Sequence, residues 1–213
     1  MNYNSKRNKP GTRAADLYYW QPEEFNKMKG LFSVQEYIQE LIRDDPSNIK
    51  KIITPPKEVD TLVWKYEHIR QFILETNLLI VQLQGTCTKQ SCPKMKATDD
   101  WLYLCSHMPN NVTHECCAID YMIHNMDQFT VIINNPKHFN SRVSIPSSSS
   151  KHLDKIVCRL YRIFSHSYFH HLDIFMDFEK EMHLCERFTE FIKMYDMLAT
   201  KFLIIPGNAF KKV

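Results

Sequence analysis

Apolar residues recur at intervals of three and four along most of this chain, the spacing of helices that bury one face. Val34, Tyr37, Ile38 and Leu41 follow Ser33-Val34-Gln35-Glu36, which reads as a capping box. That helix is predicted to run to about Arg43, where Asp45-Pro46 stops it. The stretch through Thr54-Pro55-Pro56 reads as a linker. Asp60 or Thr61 then caps a longer helix with Leu62, Tyr66, Ile69, Ile73, Leu74 and Ile80 on its core side. Gly85 is expected to end it in the left-handed conformation.

Trp101 to Cys105 is expected to be a strand of a small hairpin, and 106–117 a loop. Ala118 to Asn134 is helical by pattern. Phe139 to Ser150 lacks periodicity, and its Ser147–Ser150 run reads as a mobile loop open to phosphorylation. A long helix is predicted from Lys151 to about Glu179, with Ile156, Leu160, Ile163, Tyr168, Ile174 and Phe178 inward. A last one, about Glu181 to Leu198, buries Leu184, Phe188, Phe191, Ile192 and Tyr195, and the short loop near 180 makes this final pair antiparallel. The pattern gives a mainly α protein of about five helices around a bundle core. Residues 1–30 read as an extended arm pinned by Tyr18, Tyr19, Trp20 and Phe25, 31–205 as the domain, and 206–213 as a tail.

Composition narrows the function classes. The 213 residues are 44% hydrophobic, enough for a core, and carry only four glycines, which argues against Gly-rich phosphate loops. The net charge of +3 is too balanced for a strong nucleic-acid footprint, although Lys6, Arg7, Lys9 and Arg13 cluster near the start. The first thirty residues lack an apolar signal core, and the longest apolar stretch, around Leu78 to Leu83, is too short to cross a bilayer. Seven cysteines are then expected to be thiols of a reducing compartment, available to metal. The sequon at Asn111-Val112-Thr113 carries no weight without secretion.

Cys87 and Cys92 sit in GTCTKQSCPKM, and His166, His170 and His171 in RIFSHSYFHH. Two thiolates and two imidazoles complete a tetrahedron around Zn²⁺ and leave no open position for substrate. His166 and His170 share a helix face and are favoured by spacing; His171 is the alternative. A zinc hydrolase or deaminase would show His-Glu-x₂-His, or His-x-Glu with Pro-Cys-x₂-Cys, and neither occurs. His114-Glu115-Cys116-Cys117 has the wrong spacing and reads as loop, and Cys105, Cys116, Cys117, Cys158 and Cys185 read as small apolar fillers. The two pairs lie too far apart for a modular DNA-binding finger. Lys155, Arg159, Arg162 and His166 line one helix face, which is either a solvated basic surface or a clamp for a phosphorylated side chain.

Several unusual words now occur in one order: NKPGTRAADLYYWQPEEF, VWKYEHIRQF, CTKQSCPKM, SRVSI and YRIFSHSYFHH. In these the chain resembles the Mob family of small zinc-binding adaptors, in particular its striatin-associated branch. The resemblance covers residues 8 to about 171, with a matching helical pattern to about 200. It implies a four-helix-bundle core with added helices, a small hairpin and one structural zinc. Its His-x₄-His metal pair falls on His166 and His171, with Cys87 and Cys92, which leaves His170 a neighbour. It implies no catalysis. It implies an adaptor that joins kinases to striatin-type scaffolds with a serine/threonine phosphatase, in the cytoplasm or near the Golgi, linked to vesicle traffic and at most peripheral to membranes. Some members bind phosphopeptides through the helix bearing Lys155, Arg159 and Arg162; Cys158 falls where they carry another base. Kinase-activating members of the growth-control type carry acids around the tryptophan helix. Here that neighbourhood reads Val63, Trp64, Lys65 and Gln71, with Glu67 and Glu75 still present.

Overall fold

The computed structural model describes residues 8–107 and 112–212. Lys6 and Arg7 of the basic stretch, and Asn111 of the sequon, lie outside them. Seven α-helices occur among the described residues: α1 Ser33–Asp44, α2 Ile49–Ile53, α3 Thr61–Leu83, α4 Ala118–Ile133, α5 Ser150–His170, α6 Leu172–Met182 and α7 Leu184–Met194.

Helix α3 is the axis. It packs against α1, α4, α5, α6 and α7. Asp60 starts it by accepting the N–H groups of Leu62 and Val63, each at 2.9 Å, which satisfies two donors that a helix start otherwise leaves open. Trp64, Ile69, Phe72, Leu79 and Leu83 are wholly buried. The Phe72 ring meets Phe188 of α7 edge-on at 5.2 Å between centroids, and Phe188 meets Phe164 of α5 at 5.0 Å. Full burial of one such side chain stabilises by roughly 1.5–3 kcal/mol. Leu74, expected inside, is 56% exposed and joins Leu78 and Val81 in an apolar stripe on the outer face. The buried face instead takes Glu67, His68, Glu75 and Thr76.

Two arginines make that burial tolerable. Glu75 pairs with Arg187 of α7, which is itself 0% exposed and lies over the Phe72 ring. Glu67 accepts from Arg142 Nε at 2.7 Å and from its Nη2, while Nη2 also donates to Gln35 of α1 at 2.7 Å. The aperiodic segment after α4 is thereby fastened across α1 and α3.

Several expectations need correction. Phe32, not Ser33, is the N-cap of α1; Ser33 lies one position inside and its hydroxyl donates back to Gly30 O at 2.8 Å. The supposed linker contains α2, capped by Asn48, with Ile52 and Ile53 buried and Ile53 O accepting from Trp64 Nε1 at 3.1 Å. Gly85 is not left-handed: α3 tightens through a right-handed Gln84, and Cys87 N–H still reaches Leu83 O at 2.8 Å. The segment around Trp101–Cys105 forms only the isolated antiparallel bridges Lys96–Leu102 and Cys105–His114 among the described residues. Ser147–Ser149 is a 3-10 turn leading into α5, and buried Ser149 donates to His138 O at 2.6 Å.

The long helix from Lys151 breaks at His171, whose backbone leaves the helical region (φ −140°, ψ 49°). Its second half, α6, ends at His183 in the left-handed conformation, and α7 begins there, three residues later than the pattern gave. In the N-terminal segment Tyr18 and Tyr19 are exposed, while Trp20 and Phe25 are half-buried. Phe25 meets Tyr37 of α1 edge-on and Arg43 covers the Tyr18 ring. Among the described residues no helix is long and apolar enough to cross a membrane.

Removing the Glu75 carboxylate strands a buried guanidinium. Glu75→Ala should therefore lower urea-measured stability by about 3–5 kcal/mol, and adding Arg187→Met should recover most of it. Glu179 offers a pH test. It is 2% exposed and caps α7 by accepting from Cys185 N–H at 2.6 Å and Glu186 N–H at 3.2 Å, yet burial pushes its carboxyl up from 4.5 to about 7. Between those values the unfolded chain has lost this proton and the folded one keeps it, so rising pH favours unfolding until about pH 7 is passed. Wild-type stability minus that of Glu179→Gln should fall by about 3 kcal/mol across this window. A flat difference in urea titrations would refute the assignment.

Candidate metal centre

The end of α3 delivers Cys87 into a short loop with its own lock. Thr88 and Ser91 bond each other reciprocally, Thr88 N–H to Ser91 Oγ at 2.9 Å and Ser91 N–H to Thr88 Oγ1 at 3.1 Å, and Ser91 Oγ donates to Thr86 O at 2.6 Å. Cys92 O accepts from Ala118 N–H at 3.0 Å, which ties the loop to the start of α4. Both thiols face inward.

Across from them, His166 lies on the inner face of α5 and is 0% exposed. Its Nδ1 is 2.6 Å from Lys96 O. A carbonyl only accepts, so Nδ1 carries the proton and the Nε2 lone pair is left facing Cys87 Sγ, 3.6 Å away. Because α5 stops at His170, His171 swings round and brings Nε2 to 3.4 Å from Cys92 Sγ. The donor atoms of Cys87, Cys92, His166 and His171 all lie within 4.8 Å of one another. Of the histidine choices left open by spacing, the structure brings His171 to the thiols; His170 is exposed and stacks on His166 at 4.6 Å.

The separations can be compared with what an ion requires. Zinc–sulfur bonds of about 2.3 Å and zinc–nitrogen bonds of about 2.0–2.1 Å at tetrahedral angles put sulfur and nitrogen about 3.6 Å apart. The contacts of 3.6 and 3.4 Å match that spacing, so the four residues can hold a metal ion. Burial, then the neighbouring Cys92, pushes the Cys87 thiol up to about 12, and burial holds the His166 imidazole down at about 4. Burial lowers His171 as well, so both rings are held toward their neutral, ligating form, and a cation would have to draw the proton from the Cys87 thiol.

His166 faces inward, so it is not part of an exposed basic stripe. Lys155 is exposed, while Arg159 and Arg162 are half-buried. Arg159 donates to Gln128 Oε1 of α4 and to Ser106 Oγ at 2.6 Å. Arg162 donates to Tyr121 OH at 3.1 Å and covers the Tyr103 ring. All three line one shallow cleft with Leu102, Tyr103, Leu104 and Thr113. Among the described residues none of them meets a carboxylate within ion-pair distance.

A second convergence escaped the reading of the sequence. The donor atoms of Cys105, His107, Cys116 and His124 also lie within 4.8 Å of one another. The available signal was Cys-x-His at 105–107 and Cys-x₇-His at 116–124. It was masked by the adjacent His114-Glu115-Cys116-Cys117 run, whose spacing suits no site. Cys185 on α7 is buried and fits the filler role. All seven cysteines are free.

Comparison with known proteins places these features. Residues 39–206 match the model of the Mob1/phocein family. The chain is 46% identical over 203 residues to MOB kinase activator-like 4 of Drosophila melanogaster, covering 95% of this chain and 90% of that protein. It is 42% identical over 205 residues to MOB-like protein phocein of Caenorhabditis elegans, covering 96% and 91%. Human MOB kinase activator 3A is 32% identical over 154 residues, covering 69% and 70%. With a mainly helical fold and a match across most of its length, this chain belongs to the Mob1/phocein family.

Proposed function

We propose that this protein is a non-catalytic adaptor that docks kinases and a striatin-type scaffold carrying a serine/threonine phosphatase, and that Zn²⁺ held by Cys87, Cys92, His166 and His171 braces it. The observation that carries this reading is the fate of the acids on α3. Glu67 and Glu75 are buried and consumed by Arg142 and Arg187. What α3 offers outward is the apolar stripe Leu74, Leu78 and Val81. A basic kinase segment, the partner of the growth-control type, finds no free carboxylate on the buried side of this helix; an apolar scaffold helix finds complementary surface. The names of the relatives speak of kinase activation, which supports a kinase within the assembly.

Four protein donors at the metal complete a tetrahedron, so no position remains for the bound water that a zinc hydrolase needs. The zinc would bolt the loop after α3 to the α5–α6 break. Structural zinc contributes about 10–16 kcal/mol of apparent binding free energy in small fingers; in this larger helical core part of the fold stands without it.

The cleft formed with Lys155, Arg159 and Arg162 is read as a phosphopeptide site. Three cations without acid partners face one concavity, and a phosphate brings about −1.5 to −2 charges and three acceptor oxygens. Both arginines are already hydrogen-bonded to neutral side chains, so replacing them with Ala would disturb packing as well as charge.

Direct tests follow from each part. Purified protein mixed with striatin-type scaffold and phosphatase subunits should co-elute with them; co-elution only with a growth-control kinase would favour the activator reading. Lys155→Glu, which reverses the exposed cation and leaves the hydrogen bonds of Arg159 and Arg162 in place, should weaken binding of a phosphothreonine peptide about tenfold by fluorescence anisotropy, with little change in melting temperature. Unchanged affinity would leave the cleft as a solvated basic surface. Cys87→Ser or His171→Ala should release one equivalent of zinc and lower the melting temperature by metal analysis and calorimetry. Retention of all zinc would remove the brace.

A further inference from the structure

His166 turns inward and drops out of the basic face of α5, but that face gains a member at its other end. His152, Lys155, Arg159 and Arg162 follow one another at spacings of three, four and three. They share one side of the helix and spread over about 15 Å of its length. His152 is half-buried and Lys155 is exposed. Two openings run along this side and join. The basic cleft and a groove between α4 and α5 have Ser106, Lys155 and Arg159 as a common wall. The groove measures about 510 Å³ and adds His152 from α5 with Gln128, Val131 and Ile132 from α4. That volume is typical of ligand-binding clefts. Arg159 in the shared wall gives one N–H to Gln128 and one to Ser106. A guanidinium has further donors to offer on either side.

The groove is electrostatically one-sided at His152. Burial first, then His138, Lys151 and Lys155, hold its imidazole below the usual histidine range, and no acid offsets them. The His138 ring, from the segment after α4, lies against it with centroids 3.9 Å apart. That segment is anchored by Ser149, whose hydroxyl donates to His138 O at 2.6 Å. Asp127 of α4 is the one carboxylate lining either opening among the described residues, and its charge is not felt at His152. Surroundings that resist another proton are relieved by an anion. An imidazole also offers an N–H donor whether charged or neutral.

We propose that the α4–α5 groove is a second anion subsite, formed by His152 and Lys155, and that the ligand of the whole face is a doubly phosphorylated peptide. This rests on the phosphopeptide reading of the basic cleft and names its ligand more closely. One phosphate meets Arg159 and Arg162, and the other meets His152 and Lys155. The two pairs are centred about seven residues apart on α5, or about 10 Å along the helix. An extended peptide covers that distance in about three residues.

The test uses the full chain and fluorescein-labelled peptides read by anisotropy. One carries a single phosphothreonine. Two others add a phosphoserine about three residues before it or after it, the reach given by an extended chain. One of these two should bind about tenfold tighter than the single phosphopeptide. A phosphoserine placed directly beside the phosphothreonine brings the same charge without the reach, and should lose that gain. His152→Ala should abolish most of the gain and leave affinity for the single phosphate unchanged, while His152→Arg should enlarge it. No gain from either second phosphate, an equal gain from the adjacent one, or a gain that both His152 variants leave unmoved overturns the subsite and leaves the cleft standing. If no phosphorylated peptide binds, the cleft reading falls with it.

Discussion

Burial of α3 on nearly every side is the constraint from which the rest of this molecule follows. A 23-residue helix wrapped by five others must hide whatever its inner positions carry. It carries two carboxylates, and a charge taken from water needs a partner at hand. Arg142 from the aperiodic segment and Arg187 from α7 supply the partners. Those two contacts bind distant parts of the chain to the axis and leave the exposed side of α3 without a carboxylate. The same helix, held rigidly to Leu83, determines where Cys87 emerges.

Both Cys/His clusters occupy the ends of this framework, where backbone leaves helix. At Cys87 the loop is self-locked by Thr88 and Ser91, and at His171 the helix gives way. At Cys105 a single antiparallel bridge does the holding, and α4 provides His124. Irregular backbone has few hydrogen bonds of its own and little apolar surface. Cross-linking through an ion is one means of making such segments as firm as the helices they join. The basic cleft borders the Cys105 segment, with Arg159 reaching Ser106 and Arg162 reaching Tyr121 of α4. Its two arginines are therefore pre-positioned rather than free, which suits recognition of a fixed phosphate geometry.

Periodicity located α1, α3, α4 and α7 to within a few residues, because each buries a stripe several turns long. It missed α2, whose five residues are too few to establish a period, and it ran α5 into α6 because no Pro or Gly marks the break at His171. It put Leu74 inside, since apolar character alone does not say which of two faces meets the core. The Cys87 and His166 pairs were legible as a metal set from ligand chemistry, but spacing by itself favoured His170. The bend that presents His171 is a tertiary event.

Residue chemistry alone determined that this chain builds a helical core, carries a zinc-type donor set and resembles an adaptor family. The reasons are local: helical period, ligand preference and a few rare words in order. Only the tertiary structure decided which histidine meets Cys92, that Glu67 and Glu75 are spent on internal arginines, and that Cys105, His107, Cys116 and His124 converge. Each of these depends on where separately formed elements come to rest against one another. That is governed by packing across the whole core, which no short window of sequence contains.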